Sequence, residues 1–236
     1  MAFCLFVFSF CKKEEITTAL QNGLVANIEL NGNAFDVTNN VSGVIYGAQP
    51  FNNRQGEPQQ SMYFTRSDSA YIDFGDAPQF SFPNNIFSIC CWILVSDTLS
   101  PSAILSKRNA TGPFEYSIDN HVYRSSFNFD NWIANGNTTV YGVDPLNAVV
   151  QFEIGVWQQV SFVADGNVLK VYVNGNFTGS VDSIKAGNNF SDTDASFQIG
   201  VGGGYGRYYH FDGAIDDILI YNRVLTQEEI ELIASL

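Results

Sequence analysis

Short segments rich in β-branched and aromatic residues recur along the chain, with turn residues between them. Such segments predict strands, and the turn residues predict reversals of the chain. No strand alternates with a helix in the manner of a βαβ unit, so the pattern predicts an all-β fold, an antiparallel two-sheet β-sandwich. The predicted strands cover residues 24–30, 61–64, 70–74, 86–95, 103–106, 116–118, 125–129, 158–164, 168–173, 197–201 and 213–221.

One hairpin is marked by its turn. The apolar run 168–173 ends at Asn174-Gly175, a pair that favours the positive φ angles of a type I′ turn. With the preceding Asp165-Gly166 turn, residues 158–180 are predicted to form a three-stranded meander.

The strongest helix signal lies at the C-terminus. Thr226 is predicted to cap the helix, and Glu229, three residues later, completes a capping box. Ile230 and Ile233 are spaced to lie on one side of the helix, which is expected to face a sheet.

The charge balance narrows the classes of partner. The 236 residues carry a formal net charge of −13, from 24 acidic and 11 basic side chains. A protein that binds duplex nucleic acid needs a surplus of Lys and Arg to neutralise phosphates. Nucleic acids and anionic membrane surfaces are therefore not expected partners, whereas Ca²⁺ or a neutral sugar is compatible with the charge.

The N-terminus resembles a targeting segment. Residues 1–11, MAFCLFVFSFC, form an apolar run that is too short to span a bilayer. The run ends at Cys11 and is followed by charged residues, which resembles a bacterial lipoprotein signal with Cys11 as the lipidated residue; a secretion signal cut elsewhere is the alternative. Residues 12–23 then form a tether, and the predicted location is secreted, or on the outer membrane or cell surface as a lipoprotein.

Two long blocks carry a resemblance to a known family. They are LVANIELNGNAFDVTNNVSG at 24–43 and GVWQQVSFVADGNVLKVYVNGNFTG at 155–179, followed by FDGAIDDILIYNRVLTQEEIELI at 211–233. In this order they resemble the laminin G-like domains, of the bacterial secreted type, in the concanavalin A-like lectin/glucanase superfamily. The resemblance covers residues 24–236 as one domain. It implies a jelly roll of two curved sheets that binds carbohydrate or protein ligands.

The same resemblance implies a structural Ca²⁺ that joins the opening strand to the closing strand. The matching positions are Asn31, Gly32, Asp36, Asp216 and Asp217. The alternative is that Asp36 caps the turn at residues 39–40 and that one of the late aspartates faces solvent.

Glucanases of this superfamily hydrolyse glycans with a Glu-x-Asp-x-(x)-Glu carboxylate pair on one strand. That triplet does not occur in the sequence. Asp216 and Asp217 are neighbours, so alternation predicts that they point to opposite faces. Two carboxyl groups on opposite faces cannot act together as the acid and the nucleophile of a glycosidase. The chain is therefore expected not to be an enzyme.

Two segments combine aromatic and polar side chains in the manner of a sugar site. Residues 127–137 place Trp132 beside Asp130 and Asn131, and residues 205–210 contain Tyr205, Arg207 and Tyr208. The alternatives are a Trp132 tucked under its loop and tyrosines that belong to a strand core.

The sequence therefore predicts a non-catalytic, surface-exposed or secreted binding module, with a glycan as its ligand and Ca²⁺ as a possible stabiliser. The alternatives are a cell-surface adhesive or structural protein that binds a protein partner, and a diverged glycoside hydrolase.

Overall fold

The structure is a computed structural model. It describes residues 18–96, 102–108, 114–121, 126–131, 153–166, 168–181, 194–204 and 207–236. No helix in this part of the chain is long and apolar enough to cross a membrane.

The described residues are mostly strands. The first nine are β1 (Leu24–Ile28), β2 (Phe35–Asp36), β3 (Val41–Ser42), β4 (Val44–Tyr46), β5 (Gln49–Phe51), β6 (Ser61–Phe64), β7 (Tyr71–Asp73), β8 (Ile86–Val95) and β9 (Ser102–Arg108). The next nine are β10 (Phe114–His121), β11 (Ser126–Asn131), β12 (Trp157–Asp165), β13 (Leu169–Val173), β14 (Asn176–Val181), β15 (Phe197–Ile199), β16 (Val201–Gly204), β17 (Arg207–His210) and β18 (Gly213–Tyr221). Helix α1 is Gln227–Ala234, and short 3₁₀ turns occupy Arg66–Asp68 and Pro78–Phe80.

The strands form two large sheets and one hairpin. The ten-stranded sheet has the order β14-β13-β12-β8-β18-β1-β2-β3, with β6 paired to β18 and β5 paired to β6. The six-stranded sheet has the order β11-β10-β9-β15-β7-β4, and β16 pairs with β17. Every pairing between these strands is antiparallel, so the predicted β-sandwich of jelly-roll class is confirmed.

Alternation along the strands builds the core between the two sheets. In β8, Phe87 and Ile89 face this core, and Ile72 and Ile199 face it from the six-stranded sheet. Burying each such side chain contributes about 1.5–3 kcal/mol before the entropy of folding is subtracted. The core therefore holds the two sheets together, and their outer faces are left to form sites.

The predicted meander is present as β12, β13 and β14, with Asn174 and Gly175 at φ angles of 49° and 79°. These positive φ angles are the ones that a type I′ turn requires. The Asn-Gly pair therefore acts in the fold as its sequence predicts.

Helix α1 covers part of the outer face of the ten-stranded sheet. Ile230 and Ile233 pack there against Cys90 and Val163, as their spacing predicted. The predicted capping box is present, because the Thr226 hydroxyl accepts from the Glu229 amide and the Glu229 carboxylate accepts from the Thr226 amide.

Candidate functional site

A cleft of about 280 Å³ lies on the outer face of the six-stranded sheet. Ile72 and Ile199 face the core, so the residues beside them, Tyr71 and Gln198, face outward by strand alternation. We call this the tyrosine cleft, and its lining residues are Ser69, Tyr71, Gln198, Val201, Tyr208 and His210.

Aromatic rings form a strip along the tyrosine cleft. Tyr46 on β4 stacks on Tyr71, with ring centroids 4.5 Å apart and an angle of 11° between the planes. The His210 ring lies 6.2 Å from Tyr71 and 6.2 Å from Tyr208. Tyr208 is 56% exposed. The strip thus presents aromatic surface that is not used by the core.

The side-chain amide of Gln198 lies beside the rings and is held in place by a hydrogen bond. The Gln198 side chain is only 9% exposed, and its Nε2 donates to Asp73 Oδ2 at 2.9 Å. Its Oε1 has no hydrogen-bond partner among the described residues. A buried acceptor without a partner costs about 1–3 kcal/mol, which a ligand that donates to it would recover.

His210 is held by backbone contacts. Its Nδ1 lies 3.4 Å from Ala70 O, and Arg66 Nε donates to the His210 carbonyl at 3.1 Å. Burial lowers the pKa of His210, the hydrogen bond to Ala70 opposes this shift, and the nearby Arg66 charge adds to it. The imidazole is therefore neutral near pH 7, and because its Nδ1–H points to the Ala70 carbonyl, Nε2 is left as an acceptor for a ligand.

Gly200 sets the position of the β16–β17 hairpin, which carries His210 and Tyr208. Its φ is +80°, and a Cβ there would lie 2.3 Å from the Phe64 ring. The Gly200 amide donates to Ile104 O, and Phe211 donates to Gly200 O, both at 2.8 Å. Only glycine tolerates this close approach, so Gly200 allows the hairpin to lie against the sheet.

The predicted ligand residues are only partly brought into this site. Tyr208 lines the cleft, and Arg207 lies next to it in β17, where it pairs with Gly204. Asp130 and Asn131 lie in β11 at the opposite edge of the same sheet, paired with Ser117 and Tyr116. Trp132, Tyr205 and Cys11 lie outside the described residues.

Sequence reasoning missed Tyr46, Tyr71, Gln198 and His210 as site residues. A signal was present for Tyr71, because AYIDFG alternates small or apolar residues with Tyr71 and Asp73. That alternation is typical of a strand with one face in the core and the other face outside it. It does not show which other strands lie beside that face.

The predicted calcium residues separate into two groups. Arg54 Nη1 lies 2.7 Å from Asp217 Oδ2 and 3.5 Å from Asp216 Oδ2. The expectation that these aspartates point to opposite faces is wrong, because a β-bulge shifts the register between Asp216 and Leu219 and gives Asp217 a φ of 46°. A guanidinium thus lies where the resemblance implied a metal.

The Asp36 carboxylate accepts hydrogen bonds within a turn, as the alternative to a calcium ligand predicted. Its Oδ1 accepts from the amides of Asn27 and Thr38, both at 3.0 Å, and its Oδ2 accepts from Asn39 Nδ2 at 2.6 Å. In the same region the Gly32 amide donates to Leu30 O, and Asn31 donates to Glu29. In the described part of the chain, no three His, Cys, Asp or Glu side chains converge as a metal site requires. The arrangement does not fit a preformed Ca²⁺ site, and calcium binding stays a prediction.

Asp216 is unusual among the acidic residues. Burial, together with repulsion by Asp217, raises its pKa to about 7, although Arg54 opposes the shift. The side chain is only 2% exposed. A buried carboxyl beside a second carboxylate is expected to hold its proton longer than an exposed one.

A family model of the concanavalin A-like lectin/glucanases superfamily matches residues 66–231. The chain belongs to this superfamily. The resemblance found in the sequence is thereby confirmed, together with the fold. No curated protein matches the sequence.

Solved structures with the same fold come from several kinds of protein. Domain 4 of AbnA, an extracellular arabinanase from Geobacillus stearothermophilus, solved with arabinotriose, is 20% identical with a TM-score of 0.66, and the match covers 89% of this chain and 98% of that domain. The binding domain of Paraclostridial Mosquitocidal Protein 1 is 14% identical with a TM-score of 0.65, and 91% of this chain matches 52% of it. Trypanosoma rangeli sialidase with the inhibitor DANA is 18% identical with a TM-score of 0.60, and 89% of this chain matches 32% of it. At these identities the likeness shows the fold.

Proposed function

We propose that this protein is a carbohydrate-binding module and that the tyrosine cleft is its glycan site. The observation that carries the proposal is the pairing of the aromatic strip with the buried Gln198 amide. Pyranose and furanose rings present C–H groups that pack on aromatic faces, and their hydroxyls donate to fixed acceptors. Pockets that fix a small ligand combine apolar walls with a few placed polar groups in this way.

The chemistry of the cleft favours a neutral sugar. No carboxylate, lysine or arginine is among its described lining residues, and His210 is neutral near pH 7. An arabinanase domain of the same fold was solved with arabinotriose, which supports including arabino-oligosaccharides among the ligands that are tried.

Titration calorimetry with neutral oligosaccharides, including arabino-, xylo-, gluco- and manno-oligomers, tests the proposal. We expect one class to bind, and we expect Y208A and Q198A to weaken that binding by about tenfold or more, about 1.4 kcal/mol. The matched control is F177A, which removes a ring of similar exposure, 54%, from β14 in the other sheet. If Y208A and Q198A both bind the oligosaccharide as the wild type does, with unchanged melting curves, the glycan site does not lie in the tyrosine cleft.

We further propose that the module does not hydrolyse the glycan that it binds. The described lining of the tyrosine cleft has no carboxylate pair, and the Glu-x-Asp-x-(x)-Glu triplet is absent from the sequence. Incubation of the bound oligosaccharide with the protein, followed by chromatography of the sugars, should show no shorter product. Accumulation of a shorter product that Q198A abolishes would contradict the proposal.

The proposed location is secreted or cell-surface, with Cys11 as the lipidated residue. Metabolic labelling with radioactive palmitate is expected to label the wild-type chain and not C11A. Equal labelling of both chains would remove this assignment.

A protein partner is the second candidate function, because residues 37–53 expose several large apolar side chains and carry no charge. Val41, Val44, Ile45, Tyr46 and Phe51 are exposed, and residues 37–53 contain no charged side chain. Exposed apolar patches mark protein interaction sites more often than scattered residues do. A variant V41K, on β3 of the ten-stranded sheet, that abolishes adhesion to host or bacterial cells but keeps oligosaccharide binding would favour this function over glycan capture.

A further inference from the structure

A second cleft, of about 330 Å³, lies on the outer face of the ten-stranded sheet beside helix α1. We call it the Trp92 cleft. Register places Gln159 and Asp216 on either side of Trp92, on β12 and β18. Asn27 and Glu29 line it from the chain around β1, and Ile233 and Leu236 line it from the C-terminal segment.

The cationic group of this cleft, the Arg54 guanidinium, already has partners. Arg54 stacks over the Trp92 ring at 4.5 Å and forms ion pairs with Asp216 and Asp217. Glu29 adds a further carboxylate to the lining. The cleft lining therefore holds two carboxylates, Glu29 and Asp217, and one guanidinium, so it carries an excess of negative charge and of hydrogen-bond acceptors.

Gln159 gives independent evidence that the cleft lacks a hydrogen-bond donor. Its side chain is completely buried, and its Nε2 donates to Val160 O at 3.1 Å and to Ser161 Oγ at 2.7 Å. Its Oε1 has no partner among the described residues, although Gln159 lines the cleft. A ligand that donates hydrogen bonds into the cleft would compensate this acceptor.

We propose that the Trp92 cleft binds a protonated amino sugar. The ammonium group would be accepted by Glu29 and Asp217, and the ring hydroxyls would donate to the remaining acceptors, including Gln159 after a small side-chain shift. The C–H face of the sugar would pack on Leu219 and Ile233 and on the part of Trp92 that the Arg54 guanidinium does not cover. A neutral or anionic sugar would leave the excess negative charge unbalanced.

The site is separate from the tyrosine cleft, because the two clefts lie on the outer faces of different sheets. The proposal does not depend on the glycan site proposed above. The chain would carry one site for a neutral sugar and one for a cationic sugar, and the two can be tested apart by variants on opposite sides of the sandwich.

The test is calorimetric titration of the whole chain with glucosamine oligomers at pH 6, where the amine is protonated. N-acetylglucosamine oligomers of the same length are the comparison ligand, since each amine carries an acetyl group that removes its charge. We expect the glucosamine oligomers to bind at least about tenfold more tightly. The affinity should fall as salt is raised, because part of the attraction is between exposed charges.

Glu29→Gln is the decisive variant, and we expect it to weaken glucosamine binding by about tenfold. E228Q changes the net charge equally at an exposed position of α1 and is expected to leave binding unchanged. Y208A is likewise expected to leave it unchanged, while E29Q should not alter binding of a neutral sugar.

Equal weakening by E29Q and E228Q would mean attraction to the acidic protein as a whole and would overturn the proposal. Equal binding of the acetylated and free-amine oligomers would also overturn it. Loss of glucosamine binding in Y208A would place the amino sugar in the tyrosine cleft instead.

Discussion

Asp216 is buried at the bulge of β18, and its pKa of about 7 lies well above its ordinary value of 3.8. In the folded protein the ionised form is disfavoured by burial and by Asp217, whereas in the unfolded chain it is not. The contribution of Asp216 to the free energy of unfolding is therefore largest below its ordinary pKa. It decreases as the pH rises towards the pKa of the folded state.

This linkage predicts the behaviour of Asp216→Asn. The wild-type melting temperature is expected to fall between pH 5 and pH 8. D216N should fall less and should exceed the wild type at pH 8, because Asn carries no ionisable group. Differential scanning calorimetry across this range measures both curves. D217N is the control, and it should lower stability at pH 8 because it removes the shorter Arg54 ion pair. Parallel curves for D216N and wild type would contradict the assigned pKa.

Lys107 is a second buried charge whose cost depends on its partners. Its side chain and that of Glu115 are both completely buried, with Nζ and Oε1 2.6 Å apart, and Asp76 Oδ1 lies 2.8 Å from the same Nζ. Removing one member of a buried ion pair leaves the other charge uncompensated, whereas replacing both members costs much less.

We expect Lys107→Met to lower the free energy of unfolding by about 3–5 kcal/mol. The double variant K107M/E115Q should recover part of this loss, because the remaining buried side chain is no longer charged. Urea denaturation gives both values. A cost below about 1 kcal/mol for K107M would mean that water or a rearrangement compensates Glu115.

At the scale of elements, the local sequence patterns were reliable where chemistry within a few residues decides the structure. The Asn174-Gly175 turn and the Thr226 cap are of this kind. The bulge in β18 was not predicted, because it arises from pairing with β8, which lies far away in the sequence. The short strands β2 to β5 were not predicted for a similar reason. They contain only two or three residues each and are defined by hydrogen bonds to neighbouring strands.

The cap of α1 yields a prediction at this scale. Thr226→Ala removes the hydroxyl that accepts from the Glu229 amide at 3.3 Å, and it should cost about 1 kcal/mol. Thr226→Ser retains the hydroxyl and should cost much less. Urea denaturation of the two variants separates loss of the cap from loss of the side-chain methyl. Equal costs would show that the hydroxyl does not stabilise the helix.

In the whole molecule, Arg54 connects the chain before β6 to the closing strand β18. The predicted calcium would have made a comparable connection through the same two aspartates. A guanidinium and a divalent cation compete for such a site, because each needs the same carboxylate oxygens. The response to calcium therefore depends on whether Arg54 is present.

We expect Ca²⁺ to change the melting temperature of the wild-type chain little, compared with EDTA. In Arg54→Gln the aspartates lose their cation, so the melting temperature in EDTA should fall and Ca²⁺ should restore part of it. Mg²⁺ serves as the control for ionic strength. A clear calcium shift in the wild type that D217N abolishes would show that Ca²⁺ binds despite Arg54.

By itself the sequence determined the all-β class, the meander, the capped C-terminal helix and the superfamily, because these follow from periodicity, turn chemistry and ordered motifs. It also identified Tyr208 as a candidate site residue. Tertiary structure alone decided that Tyr46, Tyr71 and His210 join Tyr208 in one strip, and that Arg54 lies between Asp216 and Asp217. The physical reason is that a β-sandwich builds its faces by pairing strands that are distant in sequence, and a single bulge redirects the side chains that follow it.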